Sequence, residues 1–310
     1  MSSARHPLPT DLVALVSFDG HVYPNEAHPF DRLGLVQPAR PLERALEQWF
    51  SFATGKNTWV SVRGATIRGL ISARPRAKRS AWEVEVLINA TDDESVALAL
   101  FSRMTAGVIK QGAERVFLRL KDNSAIRETA RAAGFFRYGS EVLYKREATH
   151  WRPSGSDLPL RSRAKSDAFG IYQLYMRVAP ATVRAIEGLT FREWQAAQEK
   201  WGGRCSDLLL EEDGLITGSV RVMPGNNGRI HVLAERPPYD SLLGAGLDVL
   251  QDRDVFCLAP DYNVELASAL DRFFFEPVAS YLSLAKRLTK PVEQPARETV
   301  TERVPMGRVG

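Results

Sequence analysis

The chain has 310 residues, 44% of them apolar and 25% charged, and its 41 basic and 37 acidic side chains leave a net charge of +4. That length can bury two cores of ordinary size, while so mild an excess of positive charge gives no ground by itself for nucleic-acid binding. No apolar run reaches the length of a membrane span, Met1–Thr10 lacks the apolar core of a signal peptide, and Cys205, Cys257 and the five histidines fall in no metal-binding or redox spacing. The composition reads as a soluble cytoplasmic protein with reduced thiols and no metal.

In chain order, Leu12–Phe18 reads as a strand, and Leu42, Leu46, Trp49, Phe50 and Ala53 recur at helical spacing. Thr58–Val62 and Ile67–Ala73 flank Arg63–Thr66 as a hairpin. Trp82–Ile88 alternates and then turns continuously apolar, as a central strand does. Val96, Leu100, Phe101, Met104 and Val108 form a helical stripe, with Thr91 and Glu94 spaced as its capping box. Val116–Leu120 reads as a buried strand, Asn123–Phe135 as a helix stopped by Gly134, and Glu141–Arg146 as a closing strand.

After a Pro-, Gly- and Ser-bearing stretch a similar order begins again. Leu160–Ala164 reads as a strand, and Asp167 as the cap of a helix whose Ile171, Leu174, Tyr175 and Val178 face a core. Thr190 with Glu193 is a second capping box, opening Phe191–Trp201. Asp207–Glu212 and Leu215–Met223 form a hairpin around Asp213–Gly214. Arg229–Ala234, Val255–Leu258 and Phe275–Leu288 are strand segments, and Leu242–Leu250 and Asn263–Phe274 are helices. The repeat lies in element order, not in residue identity.

The spacing Asn-x10-Gly-Phe at Asn123–Phe135, set between two strands, resembles the C-terminal half of a GNAT-type (Gcn5-related) N-acetyltransferase. The opening Arg161–Ala164 followed by Asp167 and Ile171–Leu174 is similar to the start of such a domain. The resemblance implies a tandem α/β protein of two GNAT-like domains, each a mixed, mostly antiparallel sheet flanked by helices. It divides the chain into residues 11–147, a linker 148–159, residues 160–290, and a polar tail 291–310 without regular structure.

The resemblance also implies acetyl-CoA or another acyl-CoA as cofactor, with its pyrophosphate on a helix N-terminus, where free N–H groups and the dipole favour an anion. The first half carries Asn89–Ala90–Thr91–Asp92–Asp93–Glu94 at that point, with no glycine and three carboxylates that would repel phosphate. The second half carries Ser241–Leu242–Leu243–Gly244–Ala245–Gly246, which keeps both glycines of the family pattern; the glycines read equally as helix–sheet packing positions. Asn123 keeps the position that touches the CoA arm, or caps its own helix.

Transfer to an amine needs a base, oxyanion donors and an acid for the thiolate. Glu83 and Glu85, on one side of the fourth-strand equivalent, and His231 in the second half are the candidate bases. The carboxylates read equally as ion-pair partners of a neighbouring strand's arginine. The family's acid tyrosine is replaced by Ala130 and Leu270, leaving Tyr138, Tyr144 or Tyr281 to substitute. Arg74–Arg79 reads as a cationic loop open to CoA's ribose phosphate, RNA or an acidic partner, or as a solvated connection. The resemblance thus implies N-acyl transfer to a small-molecule amine or a protein amino group; a GNAT-fold module that binds a ligand or partner without catalysis is the alternative.

Overall fold

The computed structural model describes residues 3–11, 23–34, 57–64, 66–91, 93–148, 159–236 and 239–289. The strand expected at Leu12–Phe18, the helix around Leu42–Ala53, most of the linker and the tail lie outside the described residues.

The first half contains β1 (Ser3–Arg5), β2 (Thr58–Arg63), β3 (Thr66–Pro75), β4 (Ala81–Asn89), α1 (Glu94–Ile109), β5 (Arg115–Lys121), α2 (Arg127–Ala132) and β6 (Phe136–Arg146). The second contains β7 (Leu160–Ser162), α3 (Ala168–Val178), α4 (Ala181–Glu187), α5 (Phe191–Ala197), β8 (Ser206–Glu212), β9 (Leu215–Met223), β10 (Gly228–Ala234), α6 (Tyr239–Leu250), β11 (Val255–Pro260), α7 (Val264–Arg272) and β12 (Glu276–Arg287). Among the described residues the order strand–strand–strand–helix–strand–helix–strand occurs in both halves, as β2 to β6 and as β8 to β12.

Both halves share one twelve-stranded sheet in the order β1-β2-β3-β4-β5-β12-β6-β11-β10-β9-β8-β7. It is antiparallel except where β4 meets β5 and β10 meets β11. The last strands are exchanged: β12 pairs with β5, and β6 pairs with β11. Neither half therefore completes its own sheet, and separating them would strip the backbone partners from four strands.

Alternation along the strands divides the side chains between two faces. On one face Val116, Leu118 and Leu120 of β5 and Leu282 and Leu284 of β12 pack with the stripe Val96, Leu100, Phe101, Met104 and Val108 of α1. Each such fully buried side chain is worth about 1.5–3 kcal/mol. The same face of the second half packs Ile230, Val232, Val255 and Cys257 under α6 and α7. The opposite face carries residues 23–34 and α3–α5; there Phe30 and Leu33 meet Leu143, Phe256 and Tyr281, and Ile186, Ala196 and Ala197 meet Phe117. Two second-half helices thus cover first-half strands.

Several local expectations change. Asp93, not Thr91, caps α1, its carboxylate accepting the Ser95 N–H at 2.9 Å; Thr91 instead donates its hydroxyl to Asn89. Asn123 is exposed and does not cap α2, which starts at Arg127; Ser124 Oγ accepts the Ile126 N–H instead. Pro180 leads into a further short helix, α4, because its fixed φ suits a helix entry. The Thr190–Glu193 capping box and the Asn263 cap of α7 are present. Asp213 and Gly214 take positive φ in the β8–β9 turn, as that hairpin requires. Phe275 is core, but Phe274 is 83% exposed with φ +60°, at the position where the first half has Gly134 with φ +87°.

Candidate functional site

The two parallel strand pairs are the irregularity on which a site can be built. β4 and β5 pair over Ala81–Glu83 and Arg115–Phe117, then part, although β4 runs on to Asn89 and β5 to Lys121. β10 and β11 pair over Gly228–Ile230 and Val255–Cys257, then part toward Ala234 and Pro260. Each splay exposes backbone N–H and C=O groups that need partners.

In the first splay those partners come from the chain itself. The Glu26 N–H donates to Leu87 O of β4 at 2.9 Å, and the His28 N–H donates to Arg119 O of β5 at 3.0 Å. Asn25 accepts the Leu87 N–H and donates to Glu85 O, and Glu26 accepts the Ser124 hydroxyl at 2.7 Å. Residues 25–28 therefore lie across this opening as an extra strand would. Among the described residues no third segment makes backbone hydrogen bonds across the second splay. There the Tyr239 hydroxyl donates to Ala234 O at 2.8 Å and accepts from Asn263 at 3.1 Å, spanning its open end with a side chain.

Beside that end, a cavity of about 410 Å³ lies between the N-terminal turn of α6 and one side of α7, lined by Tyr239, Asp240, Ser241, Val264, Glu265, Ser268 and Arg272. Arg272 pairs with Asp240 at 2.7 Å, which leaves the α6 N-terminus less negative than its sequence suggests. Gly244 and Gly246 sit inside α6, not in a loop before it. A Cβ on Gly246 would come within 2.4 Å of Ile230 Cδ1 and 3.0 Å of Val220 Cγ2, so this glycine serves helix–sheet contact. A recess of about 540 Å³ beside Phe274 borders the N-terminal end of β12, away from both splays.

On the opposite face a polar network crosses the boundary between the halves. Arg76 and Arg119 are 7% and 8% exposed. Arg76 meets Glu199 at 3.0 Å and Glu83 at 3.4 Å; Arg119 meets Glu199 and Glu141, both at 2.8 Å. Burial pushes the Glu199 carboxyl up, but Arg119 and Arg76 outweigh it and hold it below its ordinary value. Ser283 of the exchanged strand also donates to Glu141.

Glu187, at the end of α4, differs. Its Oε2 accepts the Tyr175 hydroxyl at 2.9 Å, and among the described residues no ion pair is recorded for it. Burial pushes it up to about 7, with Arg76 and Tyr175 offsetting part of the shift. Tyr138 and Tyr262 pack with Tyr175 in one aromatic cluster, and burial followed by the Glu187 charge raises both phenols above their ordinary values. Glu187, Tyr138 and Tyr262 are each half-buried.

The backbone around Glu187 is gripped from the other half. Buried Arg115 of β5 donates to Ile186 O at 2.7 Å, Glu187 O at 2.9 Å and Glu193 O at 3.0 Å. Gly188 follows with φ +153°, where a Cβ would fall 2.2 Å from the Trp194 N.

The residues singled out in the sequence divide. Glu83 and Glu85 do share one face, but as ion-pair partners of Arg74: Glu83 is 3% exposed and 2.7 Å from Arg74, and Glu85 is held by Arg74 and Arg32. The neighbouring-strand reading is the one the structure gives. His231 is exposed on β10 with its ring at right angles to that of Trp201, and the protein crowded around it followed by Arg221 lowers it to about 4. Ser241 lines the cavity, while exposed Asn123 lies beyond the first splay. Ala130 and Leu270 are fully buried, Tyr144 packs against the α6–α7 core, and Tyr281 lies beside His28. Arg74 and Arg76 are not a solvated loop, since both are consumed in ion pairs. Glu187 and Tyr262 were missed: neither stands in a motif. Tyr262 had one signal, its place just after the carboxyl end of a parallel strand, where open α/β sheets bind ligands.

Among the described residues no group of acids, histidines and cysteines is placed to hold a metal, and no helix is long and apolar enough to cross a membrane. No protein-family model matches the sequence, and no curated protein matches it either. Solved structures do. The chain is similar to a GCN5-related N-acetyltransferase from Sphaerobacter thermophilus, with 16% identity and a TM-score of 0.55 over 92% of this chain and 95% of that one. It is also similar to a putative acetyltransferase from Pyrococcus horikoshii, with 13% identity and a TM-score of 0.53 over 93% and 90% of the two chains. At these identities the likeness is one of fold. With two splays repeated in one sheet, the chain has a GNAT-like fold.

Proposed function

We propose that the chain is an acyl-CoA-dependent N-acyltransferase whose working site lies in the second half. The observation that carries this is the contrast between the splays: residues 25–28 bridge the first, whereas the second adjoins a cavity at a helix N-terminus. The first half is then a scaffold that supplies Arg115, Arg119 and the exchanged strand β6.

The residues of the second splay fit the cofactor. The first N–H groups of α6, the Ser241 and Ser268 hydroxyls and Arg272 would hold its phosphates. Ala234 O, now bonded to Tyr239, is the acceptor that a pantetheine amide would take. Acyl-CoA supplies an activated thioester; the transfer forms an amide C–N bond and breaks the C–S bond. Glu187, raised to about 7, accepts the ammonium proton, for its basicity suits neutral pH better than that of His231 at about 4. Tyr262 stays protonated and donates to the leaving sulfur.

The rival reading, a module without catalysis, draws on Asp240 and Glu265 at the cavity. Thiol release from acetyl-CoA with a mixture of primary amines separates the two. The enzyme reading predicts release above the amine-free background, slowed about a hundredfold in Tyr262→Phe. Release equal to background contradicts it.

A further inference from the structure

Phe274 stands where the fold calls for glycine. It follows α7 in left-handed backbone, φ +60°, just as Gly134 follows α2 with φ +87°. The two turns share their hydrogen bonds. The Gly134 N–H donates to Arg131 O and the Phe274 N–H to Asp271 O, both at 2.9 Å; the Phe135 and Phe275 N–H groups donate to Ala130 O and Leu270 O, both at 3.0 Å. A bulky side chain in left-handed backbone crowds its own chain, which is why glycine is usual there. Phe273 packs against the α6–α7 core and Phe275 is buried, yet the Phe274 ring is 83% exposed. The ring thus strains the backbone while burying little apolar surface within its own chain.

The ring borders the recess of about 540 Å³, lined also by Lys145, Arg146, Glu147, Glu276 and half-exposed Val278. An apolar knob beside a cavity is suited to its own copy, because a two-fold contact sets one patch against itself and each knob meets the other's cavity. The charges agree with that occupant. The lining carries two cations and two carboxylates, and exposed Glu276 stands in register with Lys145 across β12 and β6. Such a patch is complementary to itself, whereas a partner of one sign would meet like charge. We propose that the Phe274 recess is the contact between two copies of this chain, with each ring seated against the partner's Val278 and each Glu276 facing the partner's Lys145. The pairing is independent of acyl transfer. Each ring brings about 150–250 Å² to the contact, so the pair is weak, micromolar, and dissociates on dilution.

The test is sedimentation equilibrium of the full chain from about 1 µM to about 1 mM. A reversible monomer–dimer equilibrium is expected. Phe274→Gly should weaken the dimer at least about tenfold, as loss of a central aromatic anchor does. Glu276→Lys, at an exposed position, should weaken it several-fold. Thermal unfolding at a concentration where the wild type is monomeric separates pairing from folding: Phe274→Gly should unfold no earlier than wild type, because glycine relieves the left-handed turn. A chain monomeric throughout, a dimer that either variant leaves unchanged, or a Phe274→Gly monomer that unfolds earlier than wild type overturns the proposal.

Discussion

Glu187→Gln is expected to lower kcat/KM for acyl transfer by about a hundred- to ten-thousand-fold, the range lost when a positioned base is removed. The base works as carboxylate, so wild-type activity should rise with pH and level off above about 7, following the pKa that burial imposes. That limb should vanish from the residual activity of the variant. Stability should move the other way. A carboxyl whose folded pKa lies above its unfolded value binds more protons in the native state, so its ionisation costs stability as pH rises from about 4.5 to about 7. Glu187→Gln removes that cost. Thermal unfolding should show the variant more stable than wild type above pH 7 and lose the gain in acid. A variant both inactive and less stable at pH 8 would mark Glu187 as structural.

Arg119→Leu should destabilise the fold by about 3–5 kcal/mol, because it leaves Glu141 and Glu199 charged and poorly compensated. The His28 carbonyl loses a donor as well, loosening the segment across the first splay. The pH dependence has a definite sign. Glu199 sits below its ordinary value, so its contribution is present above the unfolded carboxylate range and lost as pH falls through the folded one. The deficit of Arg119→Leu should therefore shrink in acid. Adding Glu199→Gln to Arg119→Leu should recover part of it, which denaturant unfolding of the double-mutant cycle measures. Equal deficits at pH 8 and pH 4 would show that the arginine acts by packing alone.

Much of the fold was legible because strand alternation, helical stripes and caps are local signals. The Thr190–Glu193 box and the Asp213–Gly214 turn need no tertiary context. Thr91 misled because Asp93, nearer the helix, competes for the same cap. The exchange of β6 and β12 was invisible, since pairing partners far apart in sequence leave no periodic mark. The site was less legible still. Glu83 and Glu85 have the right strand and the right face, but Arg74 lies on the next strand. Gly246 fits the phosphate pattern, but Ile230 lies against it. Glu187 owes its raised pKa first to burial and then to Glu141 of β6 and Glu199 beyond α5, and its placement to Arg115 of β5, groups scattered along the chain. Residues 23–34 carry no pattern that announces a segment crossing a splay.

One titration tests the division of labour between the halves most directly: acetyl-CoA against the full chain, beside Ser241→Glu, which adds a carboxylate at the α6 N-terminus. The account predicts one molecule bound per chain and no measurable binding to the variant. Two molecules per chain, or one that binds Ser241→Glu unchanged, would place the cofactor outside the second splay and contradict it.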